Sequence, residues 1–387
     1  MVLINLPWFP WNDAQKKRNQ AIFTHLLADS DLFQSGLYVN PPLTFMDHKR
    51  WRKGPVLSPR NVGTRSFEVV QPFIAVPFGY RPVIRELAAS AWARYIRRHI
   101  KGQPYLLWMN HCDGPSYQLA KALLPSAARS VFDLSDDFTN YYGDPAKILA
   151  NMKDLAARAD KLLGVNEHVV QLVPHPDKKV FPNGTDYEVF QTGNPSYANP
   201  PDWPKPSGDR YIGFSGGLSR GKTDVELLDK LFRAFPSEKF LFVGFVDDPS
   251  LKDHIDSFPN ARCLPAVPYR DLPHVIRSFD VAIIPHQINQ RTKGNDLLKL
   301  MDYLAAGAPV VSTLCSGLEH HADLVNLAST HEEFIQKVKR VLEDPKPHDA
   351  EPGKHFARSR SWREAVPKLA PWIMAPAAER KIPTTGT

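Results

Sequence analysis

The segment 295–313, NDLLKLMDYLAAGAPVVST, places polar side chains at the start of an apolar helix pattern. Asn295 suits an N-cap, which would leave the next backbone N–H groups without partners inside the helix. Those N–H groups belong to Leu297, Leu298 and Lys299. Because a helix N-terminus is partly positive and Lys299 adds a full charge, the pattern predicts binding of a phosphate or another anion. The alternative is an ordinary capped helix.

A carboxylate follows in the same helix pattern. Asp302 lies three residues after Lys299, about one helical turn on, so both side chains can point the same way. A carboxylate in that place could accept hydrogen bonds from two vicinal hydroxyl groups, such as those of a ribose. The alternative is a surface Lys–Asp pair.

A glycine-rich segment at 213–224, GFSGGLSRGKTD, is the second candidate for anion binding. Gly216 and Gly217 allow positive φ angles and close approach of the backbone. Arg220 and Lys222 stand just before a helix pattern, where backbone amides and two cations could hold a diphosphate. The segment matches neither a Walker loop nor the GxGxxG fingerprint, and a glycine turn with solvated basic residues is the alternative.

Two segments of the first half add polar candidates. In 7–20, PWFPWNDAQKKRNQ, Trp11 and Asn12 stand at the tip of a predicted strand-to-helix loop, and Arg18 in the following helix could meet a phosphate or an anionic acceptor. A solvated basic helix face is the alternative for Arg18. In DLSDDF, Asp136 is expected to line a cleft or cap a loop, because one adjacent carboxylate pair lacks the ligands for a divalent metal.

Strand and helix patterns alternate along both halves of the chain. The strand patterns of the second half are apolar throughout, which is typical of a parallel sheet covered on both faces. We therefore expect an α/β protein with two Rossmann-like, doubly wound parallel-sheet domains facing across a cleft, where ligands bind at the carboxyl ends of the strands. The expected segments are domains at 1–195 and 205–360, a linker at 194–209, a C-terminal helix at 361–375 that could cross back to the first domain, and a disordered tail at 376–387.

Charge and composition restrict the partners. The net charge of +7 favours an anionic partner, and three cysteines without metal-type spacing fit a reducing cytoplasm. The start of the sequence lacks the basic region of a signal peptide, and no stretch has 18 clean apolar residues, so no membrane span is expected.

Two basic segments could touch an anionic surface. The helix pattern at 84–102 has an apolar side with Leu87 and Tyr95 and a side rich in arginine, so it could lie on an anionic membrane or pack against its own sheet. The loop 48–55 interleaves Trp51 with basic residues and could touch an acceptor phosphate, lipid or nucleic acid, or be solvated.

Four segments together resemble a known family. They are FPNGTDYEVF, YIGFSGGLSRGKTDVELL, FDVAIIPHQINQRTKGNDLLKLMDYLAAGAPVVST and the late SW helix. They resemble glycosyltransferases of the GT-B fold, most closely group 1, family 4-like members, over about 181–365. The resemblance implies use of a nucleotide-activated sugar, usually with retention of anomeric configuration.

The resemblance also implies roles for individual residues. Asp302 takes the place of a ribose-binding glutamate, and Val267 falls where backbone groups meet the base. His111, at the end of the strand YLLWMNH, takes the place of a first-domain histidine near the donor sugar, although a lone histidine can equally be structural. The implied catalytic residues are His111 and Lys299. The implied nucleotide-sugar-binding residues are Gly216, Gly217, Arg220, Lys222, Val267, Asn295, Leu297, Leu298, Lys299 and Asp302.

The sequence departs from the family pattern at three positions. Leu297 replaces a proline, Asp302 is shorter than the usual glutamate, and Gly294 replaces an acidic residue. These departures leave sugar choice open and leave room for a degenerate enzyme.

The expected function is a hexosyltransferase of polysaccharide biosynthesis. It would move a sugar from a nucleoside-diphosphate sugar, its co-substrate, to a hydroxyl acceptor on a glycan or lipid-linked glycan, retaining configuration, without a bound cofactor or metal. We expect a cytoplasmic protein that could associate with the inner face of the membrane, and nucleic acid is disfavoured as a partner. The alternatives are a nucleotide-sugar epimerase of the same fold and a non-catalytic protein that binds polyanions or membranes.

Overall fold

The computed structural model describes most of the chain in ten ranges. They are 1–12, 16–44, 57–74, 82–140, 143–192, 208–289, 292, 298–315, 318–344 and 348–377. The chain forms two compact units. The first contains Met1–Asn12, Lys17–Pro182 and the chain from Arg363 onward, and the second contains Lys16 and Asn183–Trp362. The predicted linker at 194–209 lies almost entirely outside the described residues.

The first unit is built on an eight-stranded sheet. Its strands are β1 (Val2–Leu6), β2 (Ser35–Val39), β4 (Leu57–Val62), β5 (Arg65–Val70), β7 (Tyr105–Met109), β8 (Arg129–Leu134), β9 (Lys161–Gly164) and β10 (Lys178–Val180), while β3 (Leu43–Thr44) and β6 (Phe73–Ile74) pair separately. The spatial order is β10, β9, β8, β7, β1, β2, β5 and β4. All pairs in this order are parallel except β4 with β5.

The sequence interpretation named the strands β1, β7, β8 and β9 of this sheet and missed β2, β10 and the antiparallel pair. β4 and β5 form a hairpin whose turn contains Gly63 with φ at 55°, a conformation that favours glycine. Residues of β4 are exposed or half-buried rather than uniformly apolar. An edge strand of this kind lacks the continuous apolar run by which the buried strands were predicted.

Helices of the first unit connect the parallel strands. They are α1 (Arg18–Asp29), α2 (Pro82–His99), α3 (Gly114–Leu123), α4 (Pro145–Arg158) and α5 (Glu167–Val170). Local chemistry sets several of their starts: the Asp113, Asp144 and Asn166 side chains accept hydrogen bonds from backbone N–H groups of α3, α4 and α5.

The exposed face of α2 differs from the predicted one. Ala89, Ala93 and Ile96 are buried in the core, whereas Leu87 and Tyr95, which the sequence interpretation placed on the apolar side, are 66% and 40% exposed. The buried side of the helix is therefore turned toward Ala89 and Ala93 relative to the expectation. An apolar stripe is therefore left on its outer face.

The second unit contains a six-stranded sheet in which every pair is parallel. Its strands are β11 (Tyr211–Ser215), β12 (Lys239–Val243), β13 (Ala261–Leu264), β14 (Val281–Ile284), β15 (Val310–Thr313) and β16 (Asn326–Ala328), in the spatial order β13, β12, β11, β14, β15, β16. Successive residues point to opposite faces: Tyr211 and Ala282 lie in one core, and Ile212 and Val281 lie in the other. Both faces are covered, which confirms the expected parallel α/β architecture.

Helices of the second unit cover the two faces. They are α6 (Tyr187–Thr192), α7 (Val225–Ala234), α8 (Pro249–Asp256), α9 (Leu272–Arg277), α10 (Leu298–Ala306), α11 (His331–Glu343), α12 (Glu351–Ser359) and the short α13 (Trp362–Ala365), which crosses the unit boundary. The prediction missed α6, α8 and α12; the last two are short helices that begin with Pro or Glu-Pro in otherwise polar segments.

The single helix predicted at 361–375 is wrong. The segment contains α13, a 3₁₀ turn at Pro367–Leu369 and a further short helix, α14 (Ala370–Met374). Pro367 begins the 3₁₀ turn and Pro371 lies in the first turn of α14, where the missing N–H of proline is tolerated, so each proline marks a new start rather than a continuous helix. No helix in the described ranges is long and apolar enough to cross a membrane.

Candidate functional site

The two candidate anion-binding segments of the second unit follow neighbouring strands. β11 pairs in parallel with β14, with Ile212 opposite Val281, so the chain leaves both strands at the same edge of the sheet. The glycine-rich segment follows β11, and α10 lies between β14 and β15. The sheet therefore brings together the segments that the sequence indicated separately.

Gly216 lies beside the ammonium group of α10. It is exposed and has a φ of 130°, and a Cβ on it would lie 3.4 Å from Cε and 3.8 Å from Nζ of Lys299. Gly216 also approaches Gly244, because a Cβ on Gly244 would come within 2.1 Å of the Gly216 carbonyl oxygen. The strand end thus presents open backbone next to Lys299.

Lys299 is held by a histidine that the sequence interpretation did not single out. Its Nζ lies 3.0 Å from Nε2 of His286 and 4.4 Å from the centre of the Phe214 ring. His286 is 3% exposed, and burial lowers its pKa well below the ordinary value, with the charges of Lys299 and Lys222 acting in the same direction.

The two other predicted cations differ in position. Lys222 is close enough for its charge to act on His286, so it belongs with Lys299. Arg220 instead donates from Nε to Asp248 at 2.6 Å and from Nη2 to Ser250 at 3.0 Å. This geometry favours anchoring of the loop by Arg220 over the predicted diphosphate role.

Asp302 sits in a buried polar cluster. Its Oδ1 accepts hydrogen bonds from the Thr185 hydroxyl at 2.7 Å and the Tyr269 hydroxyl at 3.1 Å. Burial raises the pKa of Asp302 to about 7, although the two hydroxyl donors oppose the shift. No described residue donates a hydrogen bond to Oδ2, so this oxygen is the one suited to a ligand hydroxyl.

The remaining predicted residues of the second unit are placed as follows. Gly217 is exposed next to Gly216, Leu298 begins α10 and is half-buried, and Val267 is half-buried against the core after β13. Asn295 and Leu297 lie outside the described residues, so the predicted N-cap geometry stays a prediction.

In the first unit, His111 follows β7 in an aromatic setting. Its ring meets Trp8 edge-on at 5.3 Å between centroids, and Trp8 stacks on Phe138 at 4.0 Å. Burial lowers the pKa of His111 to about 4, so the imidazole is neutral at neutral pH. Within the described ranges its buried Nδ1 has no hydrogen-bond partner.

Arg18 is a buried structural cation. Its Nη2 lies 2.8 Å from Oδ1 of Asp133, and the two side chains are 3% and 0% exposed. Asp133 also accepts hydrogen bonds from Trp108 and Asn110. Because the guanidinium is committed to this network, the geometry favours a structural role over the predicted contact with an anionic acceptor.

The other acceptor candidates have local partners. The half-buried Trp11 packs against Tyr38 and Phe67 and donates its backbone N–H to Asn40. Asn12 is exposed.

The carboxylates of DLSDDF shape their own loop. Asp136 accepts a hydrogen bond from the backbone N–H of Asp137, whose carboxylate caps the turn at Thr139 and Asn140. In the part of the chain that is described, no three His, Cys, Asp or Glu residues are grouped to hold a metal ion.

Sequence reasoning missed His286, Thr185 and Tyr269. Two of them stand in segments that were quoted for the resemblance: His286 follows the strand DVAIIP, and Thr185 lies in FPNGTDYEVF. A polar residue directly after a buried parallel strand was the available signal for His286. No feature of the neighbouring sequence indicates Tyr269, because its hydrogen bond to Asp302 forms only in the folded structure.

An α/β chain with two units built on largely parallel sheets is typical of the GT-B class of proteins. Residues 209–344 match the family model of glycosyl transferases group 1, which confirms the resemblance for the second unit.

Individual relatives agree with this class. TuaH of Bacillus subtilis (strain 168), whose name provisionally assigns it as a glycosyltransferase of teichuronic acid biosynthesis, is 30% identical over 139 residues. That match covers 34% of the chain and spans only 33% of the length of TuaH.

Solved structures extend the likeness to the fold of the whole chain. An E. coli trehalose-6-phosphate structure bound with UDP-2-fluoro glucose has a TM-score of 0.65 at 11% identity, covering 96% of this chain and 99% of that one. Anabaena HepE in complex with UDP has a TM-score of 0.63 at 13% identity, covering 96% and 98%. The GT-B fold is thereby confirmed.

Proposed function

We propose that the protein is a glycosyltransferase that moves a sugar from a nucleoside-diphosphate sugar to a hydroxyl acceptor, with retention of configuration. The acceptor would be a glycan or a lipid-linked glycan in polysaccharide biosynthesis. The family match of the second unit and the nucleotides bound to the structural neighbours support a nucleotide-sugar donor.

The observation that carries the proposal is the pairing of two groups on one helix. On α10, Lys299 lies beside the open backbone at Gly216, and Asp302 lies one turn further on with a carboxylate oxygen that no described residue uses. A diphosphate suits the first position and a ribose the second, as in one nucleotide.

The chemistry of the site follows from its charges. Sugar transfer passes through a state in which positive charge grows on the sugar and negative charge grows on the leaving diphosphate. Lys299 and Lys222 are fixed close to the place where the diphosphate would lie, so they stabilise that charge without reorganisation. We keep His111 as the first-unit catalytic candidate and Trp11, Asn12 and Asp136 as acceptor candidates on the basis of the resemblance and their positions.

The test begins with binding. A thermal-shift screen with UDP-, ADP-, GDP- and dTDP-sugars should find a donor that raises the melting temperature, because it binds only the folded state. Lys299→Ala should weaken that donor by roughly 10- to 100-fold, the loss of a charge-assisted contact. The matched control is Lys339→Ala, an exposed lysine on α11 that should bind like wild type. Unchanged affinity in Lys299→Ala would remove the assignment.

Transfer and epimerisation are separated by the need for an acceptor. A transferase should release nucleoside diphosphate rapidly only when a glycan or lipid-linked acceptor is added. Conversion of the donor sugar in the absence of any acceptor would instead establish the epimerase.

A membrane partner is supported by α2. Val83, Leu87 and Tyr95 form an exposed stripe on it, and the exposed Arg94 and Arg98 flank its later turns. An apolar stripe with arginines suits the interface of an anionic bilayer, where a lipid-linked acceptor would be found.

A further inference from the structure

His286 has one ring nitrogen that the protein leaves unused. The side chain is 3% exposed, and its buried Nδ1 has no hydrogen-bond partner among the described residues. The other ring nitrogen, Nε2, lies 3.0 Å from Lys299 Nζ. Buried polar atoms are nearly always paired, so a buried Nδ1 without a partner, at a site built around a lysine, indicates a missing ligand.

The protonation state in the free protein follows from the lysine. An ammonium group can only donate, so Nε2 of His286 must be the acceptor, and the single ring proton then sits on Nδ1. The charged groups that act on His286 are Lys299 on α10 and Lys222 in the loop after β11. Thr223 and Thr313, from the two adjoining segments, meet its backbone and carry no charge.

We propose that His286 is a third binding group for the diphosphate of the donor, and that it takes up a proton as the donor binds. This inference rests on the proposed function. In the free protein the ring is a neutral anchor for Lys299, whereas in the donor complex it is a cation beside the phosphate oxygens.

The reason is electrostatic. Two lysines disfavour a positive histidine, and a diphosphate with two negative charges placed among the three groups offsets the charge of the lysines. Once protonated, His286 has no acceptor left for Lys299, so both groups are released to donate to phosphate oxygens. The contribution of His286 to donor affinity should then increase as the pH falls, because binding and proton uptake are linked.

The experiment is isothermal titration of the intact protein at pH 6.5 with UDP-glucose, or with the tightest binder of the sugar-nucleotide panel. The diphosphate of such a donor is esterified at both ends and does not itself titrate near neutrality. The titration is repeated in MES and in ACES, whose ionisation enthalpies differ. Wild type should show buffer-dependent heat with the sign of proton uptake by the complex.

Two substitutions separate the ring nitrogens. His286→Gln keeps an acceptor near the position of Nε2 but cannot take up a proton, so it should remove the share of the proton uptake that belongs to the histidine. His286→Asn keeps a polar atom near Nδ1 and loses the anchor for Lys299, so it should bind donor more weakly than His286→Gln at pH 8.

A second titrating group requires a control. Asp302 has a raised pKa and would release a proton when it accepts ribose hydroxyls, which is the opposite sign. Asp302→Asn should therefore increase the measured net uptake, and the difference between wild type and His286→Gln isolates the histidine. Melting temperatures of the variants without ligand verify that each is folded.

The outcomes are distinguishable. Donor binding with the same proton exchange in wild type and His286→Gln overturns this inference and leaves the proposed function intact. Failure of every sugar nucleotide to bind folded wild-type protein overturns both. Loss of uptake in His286→Gln with donor binding retained supports the inference.

Discussion

At the scale of single residues, the candidate site carries a cost to stability. Asp302 is buried with a pKa raised to about 7, compared with 3.8 for an unperturbed aspartate. Burial keeps the Asp302 carboxyl group protonated. Above the pKa of the unfolded aspartate, this lowers the stability of the folded state relative to the unfolded chain. The folded protein would be more stable with an amide at this position than with a carboxyl group. Keeping a destabilising titratable group is typical of a binding residue.

Asp302→Asn tests this trade-off. Because the folded-state pKa of Asp302 is raised, its contribution to stability is complete below about pH 4 and is lost as the pH rises to about 7, on the order of 4 kcal/mol. The variant should therefore gain stability relative to wild type as the pH increases from 4 to 7, with no further gain above. Chemical denaturation at several pH values measures the gain.

The same variant should bind the donor roughly tenfold more weakly at pH 8, because a neutral amide replaces an ionised acceptor. Thr185→Val serves as the comparison, since it removes one hydroxyl donor to Asp302 and leaves the carboxylate in place. Parallel stability curves for wild type and Asp302→Asn across this pH range would contradict the assignment.

The buried ion pair of the first unit makes an independent prediction. Asp133→Ala would leave the guanidinium of Arg18 buried without its carboxylate, and we expect a loss of about 3 to 5 kcal/mol in the free energy of unfolding. Replacing both residues by apolar ones, as Arg18→Met with Asp133→Leu, should recover much of that loss. Denaturant titration measures both effects. A double variant that is less stable than Asp133→Ala would show that the pair acts through something other than charge burial.

At the scale of elements, helix α2 shows how packing decides which face is available. The amphipathic pattern has two apolar sectors, and the sheet takes the one containing Ala89, Ala93 and Ile96. Leu87 and Val83 are left 66% and 65% exposed. The outer face of the helix is therefore apolar at Val83 and Leu87. If these larger side chains were packed against the core, this exposed apolar stripe would be absent.

This face predicts binding to anionic vesicles. The double variant Val83→Glu, Leu87→Glu should reduce co-sedimentation with phosphatidylglycerol vesicles several-fold, and Arg94→Glu with Arg98→Glu should remove most of its salt dependence. Ile288→Glu replaces an apolar residue that is 63% exposed in the second unit, so it serves as the matched control. Equal sedimentation of all these proteins would contradict α2 as a membrane contact. Unchanged melting temperatures of the variants would show that a loss of sedimentation is not caused by unfolding.

At the scale of the whole molecule, the C-terminal segment belongs to the first unit. The side chain of Ile373 is fully buried, and Trp372 Nε1 donates to Asp177 at 2.8 Å. The last helix contacts strand β8 of the first unit. The last helix therefore packs against the first unit.

Ile373→Ala should lower stability by about 2 to 5 kcal/mol through a buried cavity. Hydrogen exchange should rise in β8, including Val131 and Phe132, and the second unit should change little. Ile288→Ala removes the same atoms from an exposed position and should have an effect below about 0.5 kcal/mol. Increased exchange in β11 and β14 instead of β8 would contradict the assignment of this helix to the first unit.

Local patterns of the sequence were sufficient for much of the architecture and part of the site. Apolar runs, helix periodicity and glycine turns predicted the parallel sheets, and the spacing of Lys299 and Asp302 predicted that they share a helix face. These properties depend on residues within one or two turns of each other, so they can be read from a short window. The hairpin of β4 and β5 and the break at Pro367 show where a local pattern was weak or was misinterpreted.

Partners and burial were decided only by tertiary structure. Arg18 resembles a solvated or ligand-binding cation in the sequence, yet it meets Asp133 115 positions away and is buried. Asp302 receives the hydroxyl of Thr185 117 positions away, and Lys299 meets a histidine from the end of another strand. The sequence by itself determines which backbone period each segment prefers and which charges it contributes. Whether a charge is paired, hidden or offered to a ligand depends on which distant segment the fold brings against it, because desolvation and hydrogen bonding act only between groups in contact.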